Sequence, residues 1–325
     1  MTFNYSLHAH YLAHLDDDKE TIEYMMSEHL RMGGIYWDTT AMAVLRKLGD
    51  DRRDEIIDFV MKCADPKSPG GFGANAGHDA DLISTHHALL VLSVYDAVDR
   101  VNVEATSAFV ARHQRKDGSF SADHWGEVDQ RCAYVALSSL TILDRLDLVD
   151  VDAVVEWVLR CRNHDGAFGW IPRCESHAAA TFCAVQALAL ADALSAVDLD
   201  ALGWWLSERQ TPSGGFNGRP EKAPDVCYSW WILSALASIG RAHWIDGARL
   251  ASFIRKSEDL EDGGIADRPG DVPDVFHTFF GLAGLSLLQD VDLAPIHPVY
   301  ALPMDVVERM KLPPILPDFE PRRRA

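Results

Sequence analysis

The sequence lacks any apolar run of the roughly 18 residues that a membrane-spanning helix needs. Its start also lacks the basic and then apolar segments of a secretion signal. Basic residues are few: 30 lysines and arginines face 49 acidic residues, and the net charge of −19 would repel nucleic-acid phosphates and anionic membranes. These absences predict a soluble, cytoplasmic protein that has no transmembrane segment and does not bind nucleic acid.

Cysteine is too sparse for a disulfide scaffold, since six residues are scattered through 325. We therefore expect reduced thiols, most of them small core residues. The hydrophobic content of 48% is ample for a large core, which excludes disorder as the main state. The length of 325 residues fits one large domain or two ordinary ones, and we expect a single domain over residues 1–325.

A short glycine turn recurs along the chain and is its main organising feature. The third residues of its five copies are Phe72, Phe120, Phe168, Phe216 and Ile265, separated by 48, 48, 48 and 49 residues. We interpret Gly33-Gly34-Ile35 as a degenerate first copy, and the last interval as the insertion of one residue. The pattern predicts structural repeats of about 48 residues.

Each turn separates two helical stretches of different character. The stretch before it is amphipathic, as in DVDAVVEWVLRCR, and the stretch after it is apolar almost all round, as in TFCAVQALALA. Helical hairpins of this kind form either an open solenoid or a closed ring. The second helices are too apolar to line an open groove, which favours an all-α fold of the α/α toroid (α–α barrel) type with these helices inside.

An ionisable residue lies nine positions after the third residue of every turn, where the inner helix begins. These residues are Asp81, Asp129, His177, Asp225 and Asp274. Aspartate at a helix start accepts hydrogen bonds from free N–H groups, and we interpret Asp81 and Asp129 as caps of this kind. A neutral histidine stabilises a helix start less than aspartate does, so the position of His177 requires another explanation.

Three potential metal ligands fall at the starts of the last two inner helices. Asp225 and Cys227 are two residues apart, and His277 occupies the same relative place as Cys227 once the inserted residue is allowed for. If these helices are neighbours, a carboxylate, a thiolate and an imidazole converge, which is a donor set that zinc takes with a fourth position open. Ordinary capping and core roles are the alternative, and Cys174 with His177 is a competing metal pair.

Cations and a hydroxyl group flank these ligands in an otherwise acidic chain. Arg219, Lys222 and Tyr228 could surround one anion together with His177, and a diphosphate is a natural guest. The alternative is that the two cations are solvated turn residues. Aromatic side chains in the same region indicate either an apolar cavity inside the ring or ordinary core packing. They are Tyr36, Trp37, Trp230, Trp231 and Phe276.

Several segments resemble the β subunits of protein prenyltransferases, and the similarity covers essentially the whole chain. They are GEVDQRCAYVAL, CESHAAATF, GGFNGRPEKAPDVCYSWW and GGIADRPGDVPDVFHTFFGLAGLSLL. Within that family, the segments RMGGIYWDTTA, WWLSERQ and PIHPVYALP are most similar to the β subunit of type II (Rab) protein geranylgeranyltransferases.

This resemblance implies the catalytic β subunit of a zinc-dependent transferase, an α–α barrel held by a crescent-shaped α subunit. By the same correspondence, one zinc ion per β subunit falls on Asp225, Cys227 and His277. The residues implied for the prenyl diphosphate are His177, Arg219, Lys222 and Tyr228. The resemblance also implies a magnesium ligand at Asp267, where a hard carboxylate oxygen would lie beside phosphate.

The resemblance further implies the lipid donor and the protein acceptor. Gly33 stands where farnesyltransferases have a bulky tryptophan, so the pocket is expected to be deeper and to take geranylgeranyl diphosphate. Its walls are expected from Trp37, Trp231 and Phe276. Arg131 is expected to reach the incoming peptide. The acceptor would be a C-terminal cysteine of a Rab-type GTPase, presented by an escort protein.

Other functions fit the sequence less well. A squalene-type cyclase would need an acidic DxDD run, which is absent. A glycosidase would need two opposed carboxylates, for which Asp129 and Asp225 are candidates. The main alternative is a non-catalytic helical-repeat scaffold in which the aspartates merely cap helices. Residues expected to be solvated near the termini are His8, His10, His14 and the basic residues 322–324.

Overall fold

A computed structural model of the chain describes residues 3–15, 19–290 and 292–316. Within those ranges the chain forms fourteen α-helices. Its one two-stranded sheet there pairs β1 (Phe72–Gly73) antiparallel with β2 (Ala80–Asp81), with Phe72 opposite Asp81. No helix in those ranges is long and apolar enough to cross a membrane. The basic residues 322–324 lie outside the described residues.

The helices are arranged as hairpins around a closed ring. In chain order they are α1 (Tyr5–Ala13), α2 (Ile22–Met26), α3 (Arg31–Val44), α4 (Arg53–Lys62), α5 (Leu82–Val94), α6 (Val103–Ala111), α7 (Gln130–Ile142), α8 (Val151–Arg160), α9 (Ala178–Leu190), α10 (Leu199–Ser207), α11 (Cys227–Ser238), α12 (Gly247–Lys256), α13 (Val275–Leu287) and α14 (Met304–Met310). The odd-numbered helices from α3 to α13 form the inner ring, in which each packs on the next and α13 packs back on α3. This closure confirms the predicted all-α toroid.

The outer helices α6, α8, α10 and α12 each begin at a capping side chain that accepts a hydrogen bond from the N–H group three residues further on. The caps are Asn102, Asp150, Asp198 and Asp246. The amphipathic pattern then buries one face of each outer helix, such as Trp157 and Val158 of α8. The inner helices are buried on nearly all sides, and all 13 residues of α9 are buried.

The glycine turns join each outer helix to the inner helix that follows it. Gly118 has a φ of +87°, and a Cβ atom added there would lie 1.9 Å from the carbonyl oxygen of Ala153 on the next outer helix. Only glycine fits this left-handed, closely packed position. The aromatic residue of the turn is fully buried in each of the three central repeats. The predicted turn is therefore the point where one repeat packs on the next.

The segment Gly33-Gly34-Ile35 is not a connecting turn. It lies in the first two turns of α3, whose inner-ring position leaves no outer helix directly before it. The prediction of a degenerate first copy is therefore wrong. Glycine at position 33 has a packing role instead, because its backbone faces the side chains of Trp37 and His87.

The inserted residue of the last repeat lies before Ile265. Asp274 follows Ile265 by nine residues and donates its N–H to the Ile265 carbonyl, so the start of α13 keeps the register of the other repeats. His277 lies three residues after Asp274, whereas Cys227 lies two residues after Asp225. The expectation that His277 and Cys227 occupy equivalent places is wrong, because the turn before Ile265 absorbs the insertion.

The segment after α13 closes the ring at the ends of the inner helices. The Tyr36 hydroxyl donates to the Ala301 carbonyl at 3.2 Å, and the Tyr134 hydroxyl donates to the Val299 carbonyl at 2.8 Å. Tyr300 is fully buried in this segment. Arg309 of α14 donates to backbone carbonyls at the end of α5. The ring therefore has one closed end, opposite the capped starts of the inner helices.

The N-terminal helix α1 packs on the last repeat through a buried histidine. His8 is fully buried, its Nδ1 accepts the Gly264 N–H at 3.0 Å, and its Nε2 lies 3.4 Å from a carboxylate oxygen of Glu258. The expectation that His8 is solvated is wrong, because it shares the buried face of α1 with Leu12. His10 and His14 are exposed, as expected.

Burial of several histidines predicts acid sensitivity. Burial lowers the pKa to about 4 or below for His8, His86, His87 and His297. These groups stay neutral in the folded chain but bind protons near pH 6.5 in the unfolded chain, so stability falls as the pH drops from about 6.5 towards 4. At pH 5 the loss is roughly 2 kcal/mol per histidine.

Thermal unfolding of wild type and His297→Gln between pH 7.5 and 4.5 measures this dependence. We expect the variant to lose less stability than wild type over that range, because one buried proton acceptor is gone. His10→Gln, at an exposed position, is the control and should follow wild type. Parallel curves for wild type and His297→Gln would contradict the prediction.

Candidate active site

The starts of the inner helices lie together at the open end of the ring. Asp81 accepts the Ser84 N–H at 2.8 Å, and Asp129 accepts the Arg131 N–H at 2.8 Å. The capping prediction for these two aspartates is confirmed. The other members of the ionisable series lie at the starts of the inner helices α9, α11 and α13, so one rim of the ring is polar.

The neighbouring starts of α11 and α13 bring three potential metal ligands together. Ligand atoms of Asp225, Cys227 and His277 all lie within 4.8 Å of one another. The His277 Nε2 is 3.3 Å from Asp225 Oδ1. Among the described residues no other set of three such side chains lies this close, and Cys174 is not part of one. The donor set of carboxylate, thiol and imidazole is that of an open zinc site.

A fourth residue, Asp274, orients the histidine. Its Oδ1 accepts the His277 N–H at 2.8 Å, and its Oδ2 lies 2.6 Å from His277 Nδ1. Nδ1 therefore donates to the carboxylate and Nε2 is left to bind a metal. Sequence reasoning placed Asp274 only in the series of helix starts. An aspartate three residues before a histidine at a helix start is the signal that could have identified this pair.

The charges of the site favour a cation. Burial, followed by the charge of Asp225, raises the pKa of Cys227 well above that of an ordinary thiol. Burial disfavours a charged His277, but Asp225 and Asp274 outweigh it and raise the pKa of His277 to about 9. Burial also acts to raise the pKa of Asp225, yet hydrogen bonds with His277 and Cys227 prevail and lower it. A divalent cation would supply the missing positive charge and stabilise a thiolate at Cys227.

His177 and Tyr228 form a pair of neutral donors beside the three ligands. His177 Nδ1 accepts the Ala179 N–H at 3.2 Å, so its proton lies on Nε2, which is 3.5 Å from the Tyr228 hydroxyl. Burial and then the nearby Arg219 lower the pKa of His177. Burial raises the pKa of Tyr228 to about 12. Gly218 admits the tyrosine, since a Cβ atom there would lie 2.3 Å from the hydroxyl.

The two predicted cations lie on the loop before α11. Arg219 forms an ion pair with Glu175 of the preceding repeat. Lys222 is exposed, and within the described ranges no ion pair holds its ammonium group. Its backbone carbonyl accepts from the Asn217 side chain at 3.1 Å, which holds the loop in place. Sequence reasoning missed Glu175, because its contact with Arg219 spans two repeats.

An arc of aromatic rings leads away from this cluster. Tyr228 and Trp231 have ring centroids 5.4 Å apart, Trp231 and Phe276 are 6.0 Å apart, and Phe276 and Trp37 are 4.9 Å apart. All four are only partly buried, and they pack against the core with part of each ring accessible. Trp230 differs from them, because it is 1% exposed and belongs to the core rather than to a cavity wall.

Gly33 lies at the same wall. A Cβ atom added there would lie 3.3 Å from the Trp37 ring and 3.4 Å from His87 Nδ1. Any larger side chain would point into the space between these two rings. The glycine therefore keeps that space open.

Arg131 and Asp267 are both engaged in ion pairs at the rim. The Arg131 guanidinium contacts Asp129 at 2.6 Å and Glu127 at 3.0 Å, and it lies 5.9 Å from the centre of the Trp170 ring. The Asp267 carboxylate accepts from the neighbouring Arg268 at 2.6 Å. The Asp267 carbonyl accepts the Val226 N–H at 2.8 Å, which holds this carboxylate next to the start of α11.

Comparison with known proteins identifies the family. The model of the prenyltransferase alpha-alpha toroid domain matches residues 3–302. The chain is 48% identical over 310 residues to the geranylgeranyl transferase type-2 subunit beta of Saccharomyces cerevisiae, covering 94% of this chain and 95% of that protein. It is 54% identical over 308 residues to the probable geranylgeranyl transferase type-2 subunit beta of Dictyostelium discoideum, covering 94% and 90%. The chain belongs to the protein prenyltransferase β subunits.

A solved structure with the same fold supports the architecture of this prenyltransferase β subunit. Candida albicans protein geranylgeranyltransferase-I complexed with GGPP superposes with a TM-score of 0.85 at 21% identity, covering 96% of this chain and 99% of that one. The predicted toroid and the resemblance to prenyltransferases are confirmed. The chain is an enzyme subunit that belongs with the type-2 geranylgeranyl transferase β subunits. This disfavours the alternative of a non-catalytic helical-repeat scaffold.

Proposed function

We propose that this chain is the catalytic β subunit of a zinc-dependent protein geranylgeranyltransferase. Its donor is geranylgeranyl diphosphate, and its acceptors are C-terminal cysteine thiols of Rab-type GTPases. The observation that supports this most strongly is the convergence of the three ligand atoms within 4.8 Å of one another. Donors for an anion and an arc of aromatic rings lie directly beside them.

One zinc ion would be held by Asp225, Cys227 and His277. It would offer a binding position to the acceptor cysteine and keep that cysteine as a thiolate near neutral pH. The contact between Asp274 and His277 Nδ1 supports this role, because it turns Nε2 towards Asp225 and the other ligand atoms. Arg131 lies at the same rim and is proposed to contact the acceptor peptide by exchanging one of its carboxylate partners. The rim residues thus orient the thiol towards the donor.

The leaving group is stabilised by the donors around Tyr228. As the acceptor sulfur forms a thioether bond to C1 of the donor, the C1–O bond breaks and the diphosphate leaves with both electrons. His177 Nε2–H and the Tyr228 hydroxyl donate to its oxygens, and Arg219 and Lys222 offset its charge. Arg219 is available once the diphosphate replaces Glu175, since an ion pair at this exposure is weak.

Magnesium is proposed as a further ion at Asp267. Its carboxylate is held near the start of α11 by the contact of its backbone with Val226. Arg268 already neutralises that carboxylate, so a magnesium ion would share it with the guanidinium group. A hard oxygen ligand near the diphosphate suits magnesium.

The partners follow from the same proposal. The relatives are named as β subunits, and we propose that this chain likewise assembles with an α subunit. The resemblance to type II enzymes adds an escort protein that presents the GTPase. We propose the cytoplasm as the compartment, which suits a chain whose six cysteines are all free thiols. Residues 1–325 are proposed to form one domain.

Transfer assays with the full chain and its α subunit test the proposal. We expect about one zinc ion per chain by elemental analysis, and transfer of geranylgeranyl to a Rab-type GTPase in the presence of its escort protein. Farnesyl diphosphate should serve less well. A well-folded heterodimer with no zinc and no transfer would overturn the proposal. Efficient transfer to short isolated cysteine peptides would overturn the assignment of the acceptor.

Replacing Asp274 with asparagine tests the support of the histidine. An amide oxygen still accepts the backbone N–H of His277, but it no longer offers a negative charge to His277 Nδ1. We expect zinc affinity to fall by about 10- to 100-fold while the fold is retained. Competition with a metal chelator measures that affinity. Asp81→Asn is the matched control, because Asp81 caps α5 in the same way without contacting a histidine. Equal zinc affinity in both variants would contradict the role of Asp274.

A further inference from the structure

The ion pair between Glu175 and Arg219 lies among the groups proposed to hold the diphosphate. Glu175 is two residues before His177, on the loop that leads into α9, and Arg219 is on the loop that leads into α11. The Glu175 side chain is 60% exposed and that of Arg219 is 39% exposed. Burial and then the charge of Arg219 lower the pKa of His177, whereas Glu175 acts to raise it. Both partners of the ion pair therefore lie within electrostatic range of the imidazole.

The backbone on both sides of Glu175 is held by hydrogen bonds. The Asn163 side chain donates to the Cys174 carbonyl at 2.8 Å and to the Ser176 hydroxyl at 2.9 Å. The Ser176 hydroxyl donates in turn to the Asp165 carboxylate at 2.8 Å. The Glu175 carboxylate can therefore move by rotation of its side chain alone, without movement of the loop.

The loop that carries Arg219 is fixed in a similar way. The Gly218 carbonyl accepts the Ala178 N–H at the start of α9 at 2.8 Å. The Asn217 side chain donates to the Lys222 carbonyl at 3.1 Å. The carboxylate and the guanidinium thus meet on two fixed loops of neighbouring repeats, and only their side chains need to exchange partners when an anion binds.

Glu175 and a bound diphosphate would compete for Arg219. Both are anions that a guanidinium binds through its N–H groups, and two negative charges beside one cation repel each other. Binding of the diphosphate to Arg219 therefore costs the contact with Glu175. Departure of the diphosphate restores that contact.

We propose that Glu175 acts through Arg219 to weaken diphosphate binding and to speed the release of this product after transfer. This inference rests on the proposed function, because it takes Arg219 as one of the groups that bind the diphosphate. It extends that function by giving a role to an acidic residue that does not itself bind the donor. The carboxylate takes the guanidinium back as the diphosphate leaves, so that Arg219 does not hold the product on the enzyme.

Equilibrium binding of inorganic diphosphate to the full heterodimer tests the inference without requiring turnover. Glu175→Gln keeps the size of the side chain but removes its charge. This variant should bind inorganic diphosphate about fivefold more tightly than wild type, which is the effect of losing one exposed ion pair that competes with binding. Because no carboxylate recaptures the guanidinium, diphosphate release measured by stopped flow should slow by about the same factor. Glu175→Ala, which removes the same charge, serves as the second variant.

Two further variants define the cause of that gain. Asp200→Asn is the matched control, because it removes the exposed carboxylate of another ion pair between repeats, 2.8 Å from Arg241, and should leave the affinity unchanged. In an Arg219→Gln background, Glu175→Gln should change the affinity by less than about twofold, because the group for which the two anions compete is absent.

Weaker or unchanged binding of inorganic diphosphate by both Glu175 variants would overturn the inference, while binding by wild type would leave the proposed function standing. A gain of the same size in the Arg219→Gln background would also overturn it, because Glu175 would then repel the anion without competing for Arg219. If folded wild type binds neither inorganic diphosphate nor geranylgeranyl diphosphate, the inference and the proposed function are both overturned.

Discussion

Replacing Cys227 with alanine is expected to abolish zinc binding and to lower prenyl transfer by at least about a hundredfold. Loss of a residue that merely supports a metal ligand already costs 10- to 100-fold, and Cys227 is itself a proposed ligand. The side chain is 4% exposed and small, so alanine fits the same space. Zinc per chain by elemental analysis and single-turnover transfer with the heterodimer measure the two effects.

Cys183→Ala is the matched control for this prediction. Cys183 is buried in the inner helix α9 but lies outside the group of three ligands. Its variant should keep about one zinc per chain and near wild-type transfer. If Cys227→Ala retains zinc and activity at the level of Cys183→Ala, the three-ligand site is not the catalytic metal centre.

The second large effect is expected for Lys222→Ala. Lys222 is exposed and lies close in sequence to the ligands Asp225 and Cys227. Within the described residues, no ion pair holds its ammonium group. Removing a charge that stabilises the departing diphosphate should lower the transfer rate by about 100-fold or more. The affinity for the acceptor protein should change little, because the charge acts on the donor. Rapid-quench measurement of single-turnover rates separates the two quantities.

Two further variants decide the interpretation of that loss. Lys222→Arg keeps the charge but changes the donor geometry, so it should recover a part of the rate. Lys256→Ala removes an exposed lysine of the outer helix α12 and should leave the rate unchanged. Equal rates for Lys222→Ala and Lys256→Ala would rule out a role for Lys222 in stabilising the leaving group.

Local chemistry explains why much of the fold could be predicted. The left-handed turn at Gly118 and the helix caps at Asp81 and Asp129 depend on residues close in sequence. Their repetition every 48 or 49 residues then indicated identical units that must pack on one another. The same reasoning from nearby residues wrongly predicted that His8 is solvated, because its burial depends on the contact of α1 with a turn more than 250 residues away.

The candidate site shows the same division. The choice of Asp225, Cys227 and His277 followed from their ligand chemistry and from the assumption that the last two inner helices are neighbours. The aligned positions alone were misleading for His277, whose place differs by one residue from that of Cys227. The role of Asp274 was missed although its spacing from His277 was a signal, since the contact also depends on the direction of one imidazole ring.

Sequence reasoning was sufficient to predict the repeat, the start of each inner helix after its turn, and the kinds of side chain at those starts. These properties depend on backbone conformation and hydrogen bonds within a few residues. The folded chain was needed to show that α13 closes the ring on α3, that Arg219 pairs with Glu175, and that His87 stands against Gly33. These contacts join residues at least 44 positions apart. They depend on how the repeats pack around the ring, and local sequence does not encode that curvature.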